Sequence, residues 1–302
     1  MKAIHVQKPI STFSILFIGI FALTLFTSCE EDNTIDPSTP MSFEEGIEFS
    51  LDEADIEGTF EEVEEIALGV EEEAILGPDR RVAAPPIILW RCATIDRDTI
   101  NQVITVDFGD GCEGRDGRIR KGKIVITYND KVRLHIPGAT RTTEFVDFSV
   151  DDVTVEGTRT LTNLMDAPED FISFQSSLTG GKITWPDGST ATREFSRTRT
   201  WLRGSNPRQD EFQKTGSASG TTREGVSYSI EITSPLTYKR NCRTSRVFIA
   251  VAGSKTLTRS GSEEVLVEYG SGECDSIITL TVGEETREVD VREELRKRAR
   301  RQ

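Results

Sequence analysis

The residues best suited to binding chemistry lie in a basic and aromatic stretch between positions 185 and 201. Arginine forms forked hydrogen bonds with sulfate or phosphate, and aromatic faces pack against sugar rings. Alternation along a strand places every second side chain on one face. The predicted binding surface comprises Trp185, Arg193, Phe195, Arg197, Arg199 and Trp201. The alternative is that these residues pack across strands and form salt bridges on a solvated face.

Residues for nucleophilic or metal catalysis are scarce. After residue 28 the only histidine is His135, which excludes most serine or cysteine triads and histidine-rich zinc sites. The sequence contains no Gly-x-Ser-x-Gly, Cys-x-x-Cys or phosphate-binding loop. Paired carboxylates for glycoside hydrolysis are defined by their separation in space, so a sequence does not locate them. We predict that the protein is not an enzyme and needs no cofactor.

One loop is rich enough in carboxylates to suggest a metal. Asp107, Asp110, Glu113 and Asp116 could surround a calcium ion, since hard cations bind several oxygens. Their spacing is not that of an EF-hand, and Arg115 adds a positive charge. A solvated hairpin turn explains the pattern as well, so we predict no metal site.

The N-terminus resembles the signal of a bacterial lipoprotein. Two lysines precede an apolar stretch at 15–26, and Leu25-Phe26-Thr27-Ser28-Cys29 resembles a lipobox, whose cysteine receives a diacylglyceryl group. The apolar stretch is shorter than the roughly 20 residues that span a membrane. We expect lipidation of Cys29, with signal cleavage alone or a retained helix as alternatives.

The acidic residues that follow the cysteine bear on localisation. Glu30-Glu31-Asp32 resembles the surface-export signal of Bacteroidota lipoproteins. We therefore expect an anchor in the outer membrane with the protein on the cell surface, and the periplasmic face is the alternative.

Negative charge is concentrated in one segment. The chain has a formal charge of −15, yet residues 30–79 hold 19 acidic and no basic residues, and residues 80–302 hold 34 basic and 32 acidic ones. The near-neutral body does not indicate a nucleic-acid partner. The expected organisation is a signal peptide at 1–28, an acidic tether at 29–41, an acidic helical segment at 42–79, a β domain at 80–293 and a basic tail at 294–302.

Residues 52–76 are predicted to form an amphipathic helix. Its apolar stripe, at spacings of three and four, is Ile56, Phe60, Val63, Ala67 and Val70. The predicted solvent side carries Glu61, Glu62, Glu64 and Glu65. Acidic residues at its C-terminal end oppose the helix dipole, so the helix needs a surface to dock on. It either packs on the β body, binds a partner or stays partly disordered.

From residue 87 onward the sequence predicts an all-β fold. Runs rich in Val, Ile, Thr and aromatic residues alternate with turn residues, which indicates an antiparallel meander, either a sandwich or a strongly curved open sheet. Strands are predicted at 87–95, 102–108, 118–128, 140–149, 152–162, 171–184, 190–202, 212–221, 226–237, 246–258, 263–269, 276–282 and 286–291. Strands 190–202 and 212–221 lack a conventional apolar face, so we expect them near an edge or where both faces are wet. A second helix is considered only at 291–301.

Four cysteines remain after Cys29. They are Cys92, Cys112, Cys242 and Cys274. An even number in an exported chain indicates two disulfides, with three possible connectivities. A repeated strand, glycine-rich turn and cysteine, at 106–112 and 267–274, favours Cys92–Cys112 and Cys242–Cys274.

A family resemblance follows from the order of several motifs. CATI, ITVDFGDGC, GRIRKGKIVITY, PGAT, VEGTRTLTN and VEYGSGECD occur in an order similar to that of a group of uncharacterised Bacteroidota lipoproteins, over most of residues 50–290. The resemblance implies an exported, anchored β protein with an N-terminal helix, and it implies no activity.

The expected function is that of a lipid-anchored, non-catalytic envelope or surface protein that is structural or binds a glycan or a protein. The first alternative is a lipid or lipoprotein carrier, in which a curved open sheet wraps an apolar groove that the helix at 52–76 closes. The second alternative is a glycan-acting hydrolase.

Overall fold

The computed structural model describes residues 40–76, 92–114, 117–129, 136–165, 171–245, 247 and 249–301. The predicted signal peptide, Cys29, nearly all of the tether, Asp116 and His135 lie outside these residues.

The predicted antiparallel meander is confirmed. Each strand pairs with the next along the chain, except that β2 pairs with β4 and the two-residue β3 lies beside β4. The end strands are β1 and β14, so the sheet is open. The strands are β1 Thr94–Asp98, β2 Val103–Asp107, β3 Cys112–Glu113, β4 Ile119–Tyr128, β5 Thr140–Val150, β6 Val153–Asn163, β7 Phe171–Thr184, β8 Thr190–Leu202, β9 Glu211–Thr221, β10 Ser227–Lys239, β11 Ala252–Arg259, β12 Glu264–Ser271, β13 Ile277–Val282 and β14 Glu285–Asp290.

The N-terminal helix α1 spans Phe43–Leu76 and therefore begins nine residues before the predicted start at residue 52. A capping box explains the earlier start. Glu45 Oε2 accepts from Ser42 N at 2.8 Å, and Ser42 Oγ accepts from Glu45 N at 3.3 Å. The 34-residue helix is about 51 Å long.

Helix α1 packs on one face of the sheet, which we call the inner face; the opposite face is the outer face. All five residues of the predicted apolar stripe are buried. They share a hydrophobic cluster with side chains from strands across the sheet, including Ile124, Leu178, Leu257 and Leu280. Each fully buried side chain of this size contributes about 1.5–3 kcal/mol. The predicted docking of the helix on the β body is therefore confirmed.

Bulges let neighbouring strands bend. The register between β4 and β5 shifts at Gly122, whose φ is +75°. A Cβ there would lie 2.1 Å from the carbonyl oxygen of Asp147, so only glycine fits. Similar register shifts occur between β10 and β11 and between β5 and β6, and bulges of this kind introduce curvature into a sheet.

A second helix, α2 (Val291–Arg301), occupies most of the predicted basic tail. Asp290 caps it by accepting from Arg292 N at 2.9 Å. Arg298 contacts Asp52 at 2.5 Å and Asp55 at 3.5 Å, so α2 is held against α1.

Both favoured cysteine pairs are present. Cys92 is bonded to Cys112 next to β3, and Cys242 is bonded to Cys274 between the segment after β10 and the loop after β12.

Candidate functional site

The predicted binding surface is divided by the fold. Arg193, Phe195 and Arg197 lie on the inner face of β8 and are buried under α1. Strand β8 lies in the middle of the sheet between β7 and β9, so the expectation of an edge or doubly wet position for β8 and β9 is wrong. These three residues are not an accessible surface, because the helix covers them.

Glutamates of α1 pair with the buried cations of the inner face. Arg193 lies 2.9 Å from Glu53 and also contacts Glu57, and Glu53 contacts Lys255 on β11. The side chains of Arg193 and Glu53 are 0% and 1% exposed. The charges are therefore compensated inside the core, as buried charges must be.

The same pattern continues along the next turns of the helix. Glu57 lies 2.5 Å from Arg197 and 3.4 Å from Lys214, and Glu61 lies 3.2 Å from Lys214. Lys214, on β9, thus joins two successive helical turns to the sheet.

Glu64 and Glu62 extend the pairing toward β4, β5 and β6. Glu64 lies 2.5 Å from Arg141 and 3.2 Å from Arg159 Nε, and Glu62 lies 2.6 Å from Arg120. The prediction that Glu61, Glu62 and Glu64 face solvent is therefore wrong: they face the arginines of the inner face. The side chain of Glu65 lies outside the described residues.

Charge pairing keeps these carboxyls ionised. Burial by itself raises the pKa of Glu61, but Lys214 and Arg159 together outweigh it and lower the pKa to about 2. Burial also raises the pKa of Glu53. The positive charges of Lys255 and Arg193 outweigh this effect, so the pKa of Glu53 is lowered overall. Burial lowers the pKa of Lys255, but Glu53 outweighs this and the net direction is upward.

Trp185 lies at the opposite end of β8 from Trp201, in the hairpin between β7 and β8. The Arg223 guanidinium lies 4.7 Å from the centre of its ring and pairs with Asp187 at 2.7 Å. Hydrogen bonds from Ser189, and then from Arg223, lower the pKa of Asp187 to about 2. Residues 190 and 201 are roughly 36 Å apart along a strand, so the two tryptophans do not form one surface.

Arg199 and Trp201 belong to a different group, which we call the aromatic–arginine cluster: Arg199, Trp201, Arg203, Phe212 and Arg240. Trp201 stacks on its cross-strand partner Phe212 with ring centres 5.9 Å apart. Arg199 and Arg240 lie 4.8 Å and 5.7 Å from the centre of the Phe212 ring, and Arg203 lies 5.2 Å from the Trp201 ring.

Three members of the cluster are absent from the sequence-based prediction. Phe212 and Arg240 lie on β9 and just after β10, so their proximity to Trp201 depends on strand register. Trp201 and Phe212 each lie two residues from the Gly- and Pro-containing loop at 203–210. A hairpin through this loop would pair the two aromatic residues across strands, so the sequence could have predicted their contact.

The outer face carries rows of mostly hydroxyl side chains that run across the strands. One cross-strand row runs through seven strands as Thr142, Thr160, Ser177, Ser196, Ser217, Glu231 and Thr256. At about 4.8 Å per strand, such a row is roughly 29 Å long. Hydroxyl pairs bond directly, including Ser173 with Thr200 at 2.8 Å and Thr192 with Thr221 at 2.9 Å.

Part of this face forms an open concavity of about 800 Å³ across β7–β12. Its polar lining comprises Ser177, Thr179, Glu194, Ser196, Ser217, Ser219, Ser229, Glu231, Thr233, Thr256, Thr258 and Glu264. Nine of these twelve residues carry hydroxyls, which both donate and accept hydrogen bonds, and the other three are glutamates.

Of the four carboxylates considered as calcium ligands, Asp107 makes other contacts, and Asp116 lies outside the described residues. Asp107 lies 3.0 Å from Lys123 and accepts from Gly109 N at 2.8 Å. Within the described part of the chain, no three His, Cys, Asp or Glu residues are grouped closely enough to hold a metal ion. Neither of the two helices in that part has an apolar stretch sufficient to cross a bilayer.

Comparisons with known proteins identify no relative. No family model matches the chain, and neither a curated protein nor a solved structure matches it.

Proposed function

We propose that this chain is a lipid-anchored, non-catalytic protein of the bacterial outer membrane that binds a neutral glycan on the outer face of its sheet. The hydroxyl-lined concavity supports this proposal most directly. Its volume of about 800 Å³ lies within the range of roughly 300–1,000 Å³ of small-molecule sites. Serine and threonine hydroxyls exchange hydrogen bonds with sugar hydroxyls without charge, which suits an uncharged polymer.

The packing of α1 on the inner face also supports binding at the outer face. Helix α1 covers the inner face through both its apolar stripe and its glutamates. A lipid carrier needs an apolar groove in the sheet, and α1 already fills the place where that groove would lie. The outer face is therefore the surface that the protein presents.

Three carboxylates in the concavity, Glu194, Glu231 and Glu264, are the nearest match to a hydrolytic pair. All three are exposed, whereas the general acid of a glycosidase needs a dry environment that keeps it protonated. Glu194 also accepts from Gly180 N at 2.6 Å. We assign these carboxylates as acceptors for sugar hydroxyls.

Native-gel affinity electrophoresis in dextran, mannan or xylan tests the proposal. The double variant S196K/S217K places two lysines on a cross-strand pair within the concavity. The control T142K/T160K changes a cross-strand pair of the same row outside it. We expect the first variant to weaken binding by about tenfold or more, and the control to bind as the wild type does.

Two results contradict the proposal: none of the three glycans binds the wild type, or both double variants lose binding equally. Sugar release by the wild type that Glu231→Gln abolishes would establish the hydrolase instead.

A further inference from the structure

The aromatic–arginine cluster brings three guanidinium groups around one pair of rings. Arg199 and Arg203 extend from the end of β8, and Arg240 follows β10. The stacked rings of Trp201 and Phe212 lie between them. Trp201 also packs against a small apolar cluster that includes Leu161 and Ile172.

Charge in the cluster is not balanced by the described side chains. The ion pair recorded there is Arg240 with Asp210, at 3.5 Å. Arg199 and Arg203 form no ion pair with any described carboxylate, although Arg199 is near enough to Glu61 and Glu64 to help lower the pKa of each. Glu64 already pairs with Arg141 and Arg159. Glu61 already pairs with Lys214 and Arg159. Like charges held together repel, and a bound anion relieves that repulsion.

The stacking orients the donors. A guanidinium that lies over a ring uses its flat face for the contact and keeps its five N–H groups in its own plane. The Nε1–H of Trp201 is also buried and donates to no acceptor among the described residues. The two rings thus bring together several N–H donors that have no acceptor among the described residues.

We propose that the aromatic–arginine cluster binds a tetrahedral oxyanion, a phosphate or sulfate group, between Arg199, Arg203 and Arg240. Forked contacts between arginine and such groups are short and strong because both partners are charged. The anion is either free or carried as a monoester on a sugar or lipid. The site is on the inner face, so it is independent of glycan binding at the hydroxyl concavity on the outer face.

Isothermal titration of the purified protein with sodium phosphate, sodium sulfate and sodium chloride tests the site. The indole N–H resonance of Trp201, assigned with Trp201→Phe, is followed in parallel by NMR. We expect phosphate and sulfate to bind and to shift this resonance, whereas chloride does not. R199Q/R203Q should raise the Kd by about tenfold or more, since it removes two charged donor groups.

Arg223→Gln is the matched control. Arg223 also stacks on a tryptophan at the end of a hairpin, but Asp187 balances its charge. We expect R223Q to bind phosphate as the wild type does. Arg199→Lys keeps the charge and loses the fork, so it should bind more weakly than the wild type and more tightly than R199Q.

Titration with glucose 6-phosphate and glucose 6-sulfate, with glucose as the neutral control, separates the sources. Tighter binding of the esters identifies a substituted sugar as the ligand, and equal binding identifies the free anion. The proposal is overturned if neither oxyanion binds at millimolar concentration, if chloride shifts the Trp201 resonance equally, or if R199Q/R203Q, folded by circular dichroism, binds as tightly as R223Q.

Discussion

Single residues of the inner face show how a charge-rich interior is kept stable. Arg193 is fully buried, and Gly181 and Gly220 are its cross-strand neighbours on either side. A Cβ would lie 2.3 Å from the carbonyl oxygen of Arg193 at Gly181 and 2.0 Å from that of Thr192 at Gly220, so the close approach of these strands to β8 requires glycine. Glu53 and Glu57 reach the Arg193 guanidinium from the helix. The arrangement requires all partners, because a buried charge without its partner is costly.

Glu53→Gln tests this requirement. The substitution leaves Lys255 without its carboxylate and weakens the pairing of Arg193. We expect a loss of roughly 3–5 kcal/mol in the free energy of unfolding, measured by urea denaturation. Asp55→Asn is the control, because Asp55 is 60% exposed and lies 3.5 Å from Arg298, and its loss should cost no more than about 1 kcal/mol. Equal losses for the two variants would contradict the account.

At the scale of elements, strand positions and the meander order were largely predictable, whereas the side-chain contacts between the helix and the sheet were not. The limits of β7 and β8 agree with the sequence to the residue, because composition and turn residues are local signals. The contact between Arg193 and Glu53 joins residues 140 positions apart. An alternating arginine row looks the same in a sequence whether it faces water or a helix of glutamates. The start of α1 was missed because Ser42 and Glu45 precede its regular apolar stripe.

The contact between α1 and the sheet should weaken in acid. The folded-state pKa of Glu61, about 2, lies below its ordinary value of 4.5. Its stabilising contribution is therefore complete above about pH 4.5 and is lost as the pH falls toward 2. Glu53, Glu57 and Glu64 shift in the same direction. We expect the urea midpoint to fall steeply across this window.

Two variants separate this effect from general acid denaturation. Glu61→Gln removes one titrating group of the contact, so it should lower the midpoint at pH 7 and flatten its dependence on pH. Glu144→Gln, at an exposed outer-face position on β5, should leave the curve unchanged. A midpoint that is constant between pH 5 and 2.5 contradicts the prediction.

The disulfides act on separate parts of the sheet. Cys92–Cys112 spans 20 residues around β1 and β2 at one end of the sheet, and Cys242–Cys274 spans 32 residues around β11 and β12. C92A/C112A should cost roughly 3 kcal/mol on the chain-entropy model, with faster amide exchange in β1 and β2. Exchange in β7 and β8 should change only in proportion to global stability. Acceleration confined to β11 and β12 would contradict this assignment.

At the scale of the molecule, α1 carries the chain from β14 toward the aromatic–arginine cluster. The described chain reaches α1 at Phe43, where Glu44 contacts Arg287 of β14. Glu61, which pairs with the cluster's neighbour Lys214, lies eighteen residues further along, about 27 Å. The cluster therefore lies beside the middle of the 34-residue helix.

Lipidation of Cys29 is a prediction about the whole molecule. The wild type should incorporate radiolabelled palmitate and sediment with outer membranes, whereas Cys29→Ser should do neither, because a diacylglyceryl group supplies the apolar surface that holds the chain to a bilayer. Cys92→Ser, at a cysteine predicted to carry no lipid, is the control and should label normally. If the protein faces outward, trypsin added to intact cells should cut at exposed Arg203 and Arg208. If it faces the periplasm, trypsin should cut there only after the outer membrane has been permeabilised. Unlabelled wild type, or a Cys29→Ser variant that sediments as before, contradicts the anchor.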